Sequence, residues 1–286
     1  KKWFYFLTLM IAGAFMFASC QKDSGLLTSD EVADAEDDAF VENLFDDAMD
    51  AADVAILAVD NMIWGSSLKS ATVDTCPSIT VDHPDSTTWP KVITIDFGDL
   101  CTGFFGHTRS GKIVITITGR YREPGASRTV ELVNYYINGV HVEGTRTVIN
   151  DGRNDNGNLE FTVTLQGGKV TLNDTMVITR EYTRTREWVA GEDTWNHWDD
   201  VYFISGTATG TTLRGITFNR TITSPLEWAA SCRFIKSGTV EIVFSDGTNT
   251  TSPIILDFGD GTCDNEATIT KDGETRTIEL RYHPRP

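Results

Sequence analysis

The chain has 286 residues, of which 40% are hydrophobic and 23% are charged, and its formal net charge is −17 at pH 7. A chain of this length can bury one large core or two small ones, so a globular protein is expected. The acidic charge, without a basic stripe, excludes nucleic acid and anionic lipid headgroups as expected electrostatic partners.

The first twenty residues have the pattern of a bacterial lipoprotein signal peptide. Lys1 and Lys2 precede an uncharged apolar run that ends at Ser19-Cys20. This run is shorter than the roughly 20 apolar residues that a membrane-spanning helix needs, so a signal peptide over residues 1–19 is favoured over an uncleaved membrane anchor. A Cys directly after small residues resembles the lipobox, which implies that Cys20 is lipidated on its thiol and acylated on its new amino terminus, with palmitate as one possible acyl group.

A short tether, residues 20–28, follows the cleavage position. Its residues 21–24, Gln-Lys-Asp-Ser, resemble the polar tag after the lipidated Cys in surface-exposed lipoproteins of the Bacteroidota. Asp does not follow the Cys directly, so the inner-membrane retention pattern known from enterobacteria is absent. We therefore expect an outer-membrane protein that is held by its lipid anchor and faces the cell surface. The alternative is an ordinary polar linker.

A long acidic helix is predicted over residues 29–66. Thr28 and Glu31 have the spacing of a capping box at its start. Residues 23–60 contain thirteen Asp or Glu and no Lys or Arg. Apolar residues recur every three or four positions, which indicates an amphipathic helix: Phe45, Met49, Ala52, Ile56, Val59 and Ile63. The helix would pack on the following domain or form an acidic stalk, and the alternative is a docking helix for a protein partner.

Residues 72–286 are predicted to form an all-β domain. From about residue 78 onward, apolar and polar residues alternate in short runs, and Gly-containing turn signals separate many of these runs. Asn138-Gly139 between two such runs is a strong signal for a type I′ hairpin turn. The predicted fold class is therefore mainly β, with antiparallel meander or sandwich-like sheets that are wet on one face and an N-terminal amphipathic helix.

Two segments of this domain resemble each other. Asp96-Phe97-Gly98-Asp99 and Asp257-Phe258-Gly259-Asp260 each follow an apolar run and precede a Cys. We expect two related units, over about 72–122 and 226–283, that flank a middle meander. Chance similarity is the alternative, and the two units would suit one continuous sheet or a sandwich equally well.

Four cysteines follow the lipobox: Cys76, Cys101, Cys232 and Cys263. An even number in an exported chain favours two disulfides, and three pairings are possible. We favour Cys76 with Cys101 and Cys232 with Cys263, because each repeat-like unit then has its own bond. A zinc site built from all four is the alternative, but no Cys-x-x-Cys pair is present.

At this point the chain resembles a group of outer-membrane lipoproteins of the Bacteroidota with no known activity. The resemblance rests on the lipobox, on the paired Asp-Phe-Gly-Asp segments with their cysteines, and on residues 119–125 and 134–140. It covers most of the mature chain. It implies a location at the outer membrane and carries no implied mechanism.

A tryptophan-rich segment between two predicted strands is the best candidate for a binding site. Rings with an apolar face and polar neighbours are typical of sites that bind sugars. The expected ligand-binding residues are Trp188, Trp195, His197, Trp198 and Asp199. The alternatives are tryptophans that pack in the core beside solvated acids, and a metal ion at His197.

A calcium site is a further candidate. Asp257, Asp260 and Asp264 provide the oxygen ligands that Ca²⁺ prefers, although their spacing does not match that of an EF-hand. Turns rich in Asp and Asn form without any metal, so a plain turn is the alternative. No other cofactor is expected.

Two short patterns resemble the acceptor sequences for O-glycosylation in exported Bacteroidota proteins. Ser86 lies in Asp-Ser-Thr, and Thr175 lies in Asp-Thr-Met. Patterns of three residues arise by chance, so unmodified turns are the alternative.

The expected function is a binding or structural role at the envelope, with a glycan or another envelope protein as the partner. No Gly-x-Ser-x-Gly or His-Glu-x-x-His motif is present, and no catalytic residue can be assigned. The first alternative is an exported glycan-processing enzyme, since such enzymes need only two suitably spaced carboxylates. The second is a scaffold subunit that docks an envelope partner through the N-terminal helix.

Overall fold

The computed structural model describes residues 27–64 and 76–281, except residues 86, 104, 105, 174 and 195, and of residues 61, 62 and 64 it describes only the backbone. The elements are one helix, α1 (Ser29–Trp64), and thirteen strands: β1 (Ser78–Val81), β2 (Lys91–Thr102), β3 (Thr108–Ile117), β4 (Ser127–Ile137), β5 (Val140–Arg153), β6 (Leu159–Leu172), β7 (Met176–Ala190), β8 (Val201–Thr211), β9 (Thr217–Ala229), β10 (Ser237–Ser245), β11 (Ile254–Asp260), β12 (Glu266–Lys271) and β13 (Glu274–Glu279). The predicted signal peptide, Cys20 and most of the tether lie outside the described residues.

Helix α1 begins with the predicted capping box. The Glu31 backbone N–H donates to the Thr28 hydroxyl at 3.2 Å, and the Thr28 backbone N–H donates to the Glu31 carboxylate at 3.0 Å. These bonds satisfy amide groups that have no partner inside the helix. The helix therefore starts where its sequence indicates. Within the described ranges, no helix is both long and apolar enough to cross a membrane.

The strands form one antiparallel meander, so the predicted mainly β fold with an N-terminal helix is confirmed. Each strand pairs with the next along the chain, from β1 to β13. Asn138 and Gly139 join β4 to β5 with φ angles of 50° and 78°, as a type I′ turn requires. Short connections between neighbours therefore account for the entire order of the sheet.

Both predicted disulfides are confirmed. Cys76 is bonded to Cys101, and Cys232 is bonded to Cys263, with Cα atoms 5.5 and 5.8 Å apart. Bonds of this kind are typical of chains that fold outside the cytoplasm.

The repeated Asp-Phe-Gly segments adopt the same local structure. The Asp96 carboxylate accepts a hydrogen bond from the Gly98 backbone N–H at 2.9 Å, and Asp257 accepts one from Gly259 at the same distance. Both glycines have positive φ, which side chains disfavour. The segments lie in β2 and β11, which belong to one continuous sheet. The repeat therefore marks two similar strands of one sheet.

The sheet encloses helix α1. The predicted amphipathic helix would leave its acidic face in water, whereas much of the acidic face of α1 is buried. Most apolar residues of α1 with described side chains are buried, but so are eight of its acids: Glu31, Asp34, Asp37, Asp38, Glu42, Asp47, Asp53 and Asp60. Strands from both halves of the sheet contact these acids through basic side chains, for example Arg109 of β3 and Lys271 of β12. The hydrophobic core therefore lies between the helix and the inner face of the sheet, and ion pairs cross it.

Strand β7 shows how the sheet supplies the positive charges. Arg180, Tyr182, Arg184, Arg186 and Trp188 alternate along β7 and are all buried. Because side chains two residues apart lie on the same face of a strand, all five face the interior. The prediction that charged residues lie on the outer, solvated face of the sheet is therefore wrong for these arginines, which pair with α1 in the interior.

Candidate functional site

A cavity that combines aromatic and ionisable side chains lies beside the C-terminal half of α1. It has a volume of about 570 Å³ and is called the aromatic cavity below. Its walls are formed by helix α1, by the connection between β3 and β4, and by strands β7 and β8 with the connection between them. Its lining includes Asp53, Asp60, Tyr121, Trp188, His197, Asp200 and Tyr202. The size falls within the range of small-molecule sites in proteins.

Three aromatic rings form one wall of the aromatic cavity. Trp188 of β7 pairs with Tyr202 of β8 across the two strands, and their rings stack with centres 5.5 Å apart. The Tyr121 ring centre is 5.7 Å from that of Trp188, and the hydroxyl oxygens of Tyr121 and Tyr202 are 3.3 Å apart. Arg122 places its guanidinium 5.1 Å from the Trp188 ring centre. The wall is therefore apolar in its body and polar at its edge.

Two carboxyl groups of α1 reach the aromatic cavity in different electrostatic settings. Burial alone would raise the pKa of Asp53, but Arg128 and Arg186 outweigh burial and hold that pKa below its ordinary value. Asp60 makes no hydrogen bond or close ion pair with the described residues, and burial raises its pKa to about 6 against the opposing charges of Arg120 and Arg122. Asp53 is thus ionised near neutral pH, whereas Asp60 is partly protonated on the acidic side of neutrality. Carboxyl groups with pKa values pushed apart in this way are a known feature of binding and catalytic sites.

A histidine and aspartate pair completes the cavity. His197 and Asp200 are buried, and the His197 Nδ1 atom lies 3.0 Å from Asp200 Oδ2. Because carboxylate oxygens accept hydrogen bonds, Nδ1 is assigned as the donor in this pair. The backbone turn of residues 197–199 and the Trp228 ring, 6.2 Å away, fix the orientation of the imidazole.

The structure separates the sequence-predicted ligand residues. Trp188 and His197 line the aromatic cavity. Trp198 is 43% exposed and contributes to a different cavity on the other side of His197. Asp199 accepts a hydrogen bond from the Thr194 hydroxyl at 2.9 Å and is absent from the lining. Trp195 lies outside the described residues. The predicted segment therefore provides only part of the site.

The predicted calcium ligands do not converge. Each carboxylate accepts a hydrogen bond from a backbone N–H two residues further along: Asp257 from Gly259, Asp260 from Thr262 and Asp264 from Glu266. In the described part of the chain, no three His, Cys, Asp or Glu side chains lie close enough together to hold a metal ion. The three residues form ordinary Asx turns, and calcium binding at them stays a prediction that the structure does not support.

The two candidate O-glycosylation positions differ in what the structure describes. Thr175 is exposed in the turn between β6 and β7, and its hydroxyl donates to the Asn173 carbonyl at 3.3 Å. Ser86 lies outside the described residues. Modification at either residue remains a prediction.

Several residues of the aromatic cavity were missed from the sequence. Asp53 and Asp60 lie in the acidic helix, where twelve acids offer no reason to choose two of them. Tyr121 and Tyr202 lie far from each other and from Trp188 along the chain. One usable signal was present: the Arg-rich alternation of β7 matches the excess of acids in α1, which indicates that the two elements face each other.

Comparison of the chain with protein-family models, curated proteins and solved structures finds no match.

Proposed function

We propose that this chain is a lipid-anchored protein of a bacterial outer membrane that faces the cell surface and binds a glycan in the aromatic cavity. The observation that carries the binding proposal is Asp60, a buried carboxyl group that makes no hydrogen bond or close ion pair in the described structure, at the wall formed by Trp188, Tyr202 and Tyr121. A sugar hydroxyl that donates to Asp60 would satisfy this group while the apolar face of the sugar contacts the rings.

Export is supported by two independent features. The disulfides Cys76–Cys101 and Cys232–Cys263 suit an oxidising compartment. The lipobox-like segment before Cys20 supplies a route out of the cytoplasm and a membrane anchor.

The anchor has a direct test. Cys20→Ala should abolish acylation and release the protein from the membrane fraction of a lipoprotein-processing Gram-negative host, because Cys20 is the only cysteine that directly follows the apolar run. Globomycin-sensitive processing and membrane fractionation are the measurements. Ser24→Ala, in the same tether, is the control and should remain membrane-bound. Unchanged attachment and processing in Cys20→Ala would contradict the proposal.

Glycan binding is tested with residues 21–286, a chain that retains every described residue. On a glycan array this chain should bind a defined set of sugars. Asp60→Asn should reduce binding to those sugars about tenfold, as expected for a lost hydrogen bond to a charged group. Trp198→Ala is the matched control, because Trp198 does not line the aromatic cavity, and it should bind as the unmodified chain does. The absence of any glycan ligand, or equal losses in the two variants, would remove the proposal.

A glycan-processing enzyme is the second candidate, and the unequal pKa values of Asp53 and Asp60 favour it. Asp60 would serve as an acid, since its pKa is about 6. Incubating the array ligands with the chain distinguishes the two functions. New reducing ends that disappear in Asp60→Asn identify an enzyme, whereas stable binding without product identifies a binding protein.

A scaffold that docks a partner through α1 has less support. That function requires an apolar stripe exposed along the helix. The apolar residues of α1 with described side chains are mostly buried inside the sheet, including Phe40, Leu44 and Ile56. Docking would therefore require another surface.

A further inference from the structure

A second cavity lies on the other side of His197, between α1 and the first two strands. It has a volume of about 440 Å³ and is called the α1–β2 cavity below. Its apolar lining consists of Ala51, Val54, Ile79, Ile95, Phe97 and Trp198, with part of the Cys76-Pro77 segment. Its ionisable lining consists of Asp47, Asp50, Arg109 and His197.

The positive charge in this lining is already neutralised. Arg109 donates to Asp47 through Nε at 3.0 Å and through Nη2 at 2.5 Å. Asp47 Oδ1, which accepts from Arg109 Nη2, also lies 2.8 Å from His107 Nδ1, and Arg233 donates to His107 Nε2 at 2.7 Å. The bond from Arg233 assigns the proton of His107 to Nδ1, which donates to Asp47. Asp47 is therefore fully engaged and is not available to a ligand.

Asp50 differs from Asp47 although it is less than one turn away on the same helix. It is partly buried and makes no hydrogen bond or ion pair with the described residues. Burial raises the pKa of Asp50 well above its ordinary value, and the charges of Asp53, Asp46 and Asp47 raise it further against the opposing effect of Arg186. The ionised form of Asp50 is therefore unfavourable in this wall, and a cation bound beside the carboxyl group would favour it.

We propose that the α1–β2 cavity binds a small organic ammonium ion, with Asp50 as its counter-ion and the apolar wall around the body of the ligand. The rings of Phe97 and Trp198 supply aromatic surface of the kind that attracts ammonium groups. A neutral amphiphile would leave Asp50 without a charged partner. A carboxylate ligand would be repelled by the acids of α1. This site is separate from the aromatic cavity, so it stands or fails independently of glycan binding.

The charge preference is tested without any substitution. Hexylammonium, 1-hexanol and hexanoate share one apolar chain and differ in the charge of the head group. Ligand-observed NMR on the purified full chain should show that hexylammonium binds about tenfold more tightly than 1-hexanol, as one desolvated ion pair with aromatic contact predicts. Hexanoate should bind most weakly. Equal affinities for hexylammonium and 1-hexanol, or no binding of hexylammonium, would overturn the proposal.

Two substitutions of equal charge then locate the site. Asp50→Asn should reduce hexylammonium affinity about tenfold to the level of 1-hexanol, because only the counter-ion is removed. Asp46→Asn is the matched control: Asp46 lies one turn earlier, also makes no ion pair with the described residues, and is absent from the lining of the α1–β2 cavity. It should change the affinity less than about threefold. Equal losses in the two variants would indicate general attraction to an acidic protein and would refute the assignment to Asp50.

Discussion

Replacing Glu42 with glutamine is expected to lower the free energy of unfolding by about 3–5 kcal/mol, the usual cost of breaking a buried ion pair from one side. Glu42 of α1 is 3% exposed and accepts hydrogen bonds from Arg180 at 2.6 Å and from Arg184 at 2.7 Å. Arg220 lies 3.4 Å from the same carboxylate. All three arginines are buried. With an uncharged side chain at position 42, Asp38 would be the main negative charge left to balance them. Urea unfolding at pH 7 measures the difference.

Glu36→Gln is the control for the loss of a helix carboxylate. Glu36 is more accessible, and its carboxylate lies 3.8 Å from Arg281, so its replacement should cost less than about 1 kcal/mol. A loss at Glu42 no larger than the loss at Glu36 would contradict the importance of the buried cluster.

The Glu42 cluster also determines an acid dependence. Burial opposes ionisation, but Arg184, Arg220 and Arg180 outweigh burial and lower the pKa of Glu42 below the ordinary value of 4.5. A lowered pKa means that the stabilisation is complete above the unfolded-state pKa and is lost as the pH falls toward the folded-state pKa. Glu42→Gln should therefore lose less stability than the unmodified chain on acidification below about pH 4.5.

Deleting residues 27–64 is expected to have a larger effect, namely the loss of all folded monomer. The inner face of the sheet carries seven buried arginines that face α1 and its surroundings: Arg109, Arg128, Arg146, Arg180, Arg184, Arg186 and Arg220. Without α1, their acidic partners are absent, and the apolar residues between them face water. Each unpaired buried charge costs several kcal/mol. Several such charges together therefore cost more than the roughly 5–15 kcal/mol by which a typical domain is stable.

The deletion is measured by refolding under oxidising conditions, followed by gel filtration and near-ultraviolet circular dichroism. The control chain lacks residues 1–26 and keeps α1, and it should refold to a monomer with fixed aromatic signals. Adding residues 27–64 as a separate peptide should restore the deleted chain, because the contacts and not the covalent link stabilise the sheet. A soluble monomer with native aromatic signals in the absence of α1 would show that the sheet is stable by itself.

Local sequence patterns account for much of this fold. Thr28 and Glu31 predict the start of α1, because a capping box involves only residues three apart. Asn138-Gly139 predicts the β4–β5 hairpin, because few residues adopt positive φ at two successive positions. The repeated Asp-Phe-Gly segments predict the pairing of Cys76 with Cys101 and of Cys232 with Cys263. Each prediction depends on neighbours in the chain or on a repeated pattern, and each is visible without knowing what packs against it.

The sequence by itself thus determined the mainly β class, the helix, the principal turns and the disulfides. Only the tertiary structure decided that the sheet encloses α1, that the arginines of β7 face inward, and that Asp60 and Asp50 lie in cavities without protein partners. The physical reason is that alternation assigns residues to two faces of a strand but does not say which face is interior when arginine and aromatic residues share one face. A charged side chain is stable in the interior only when a group of opposite charge lies beside it. For the arginines of the sheet, that group is an acid of α1, which is distant in the chain.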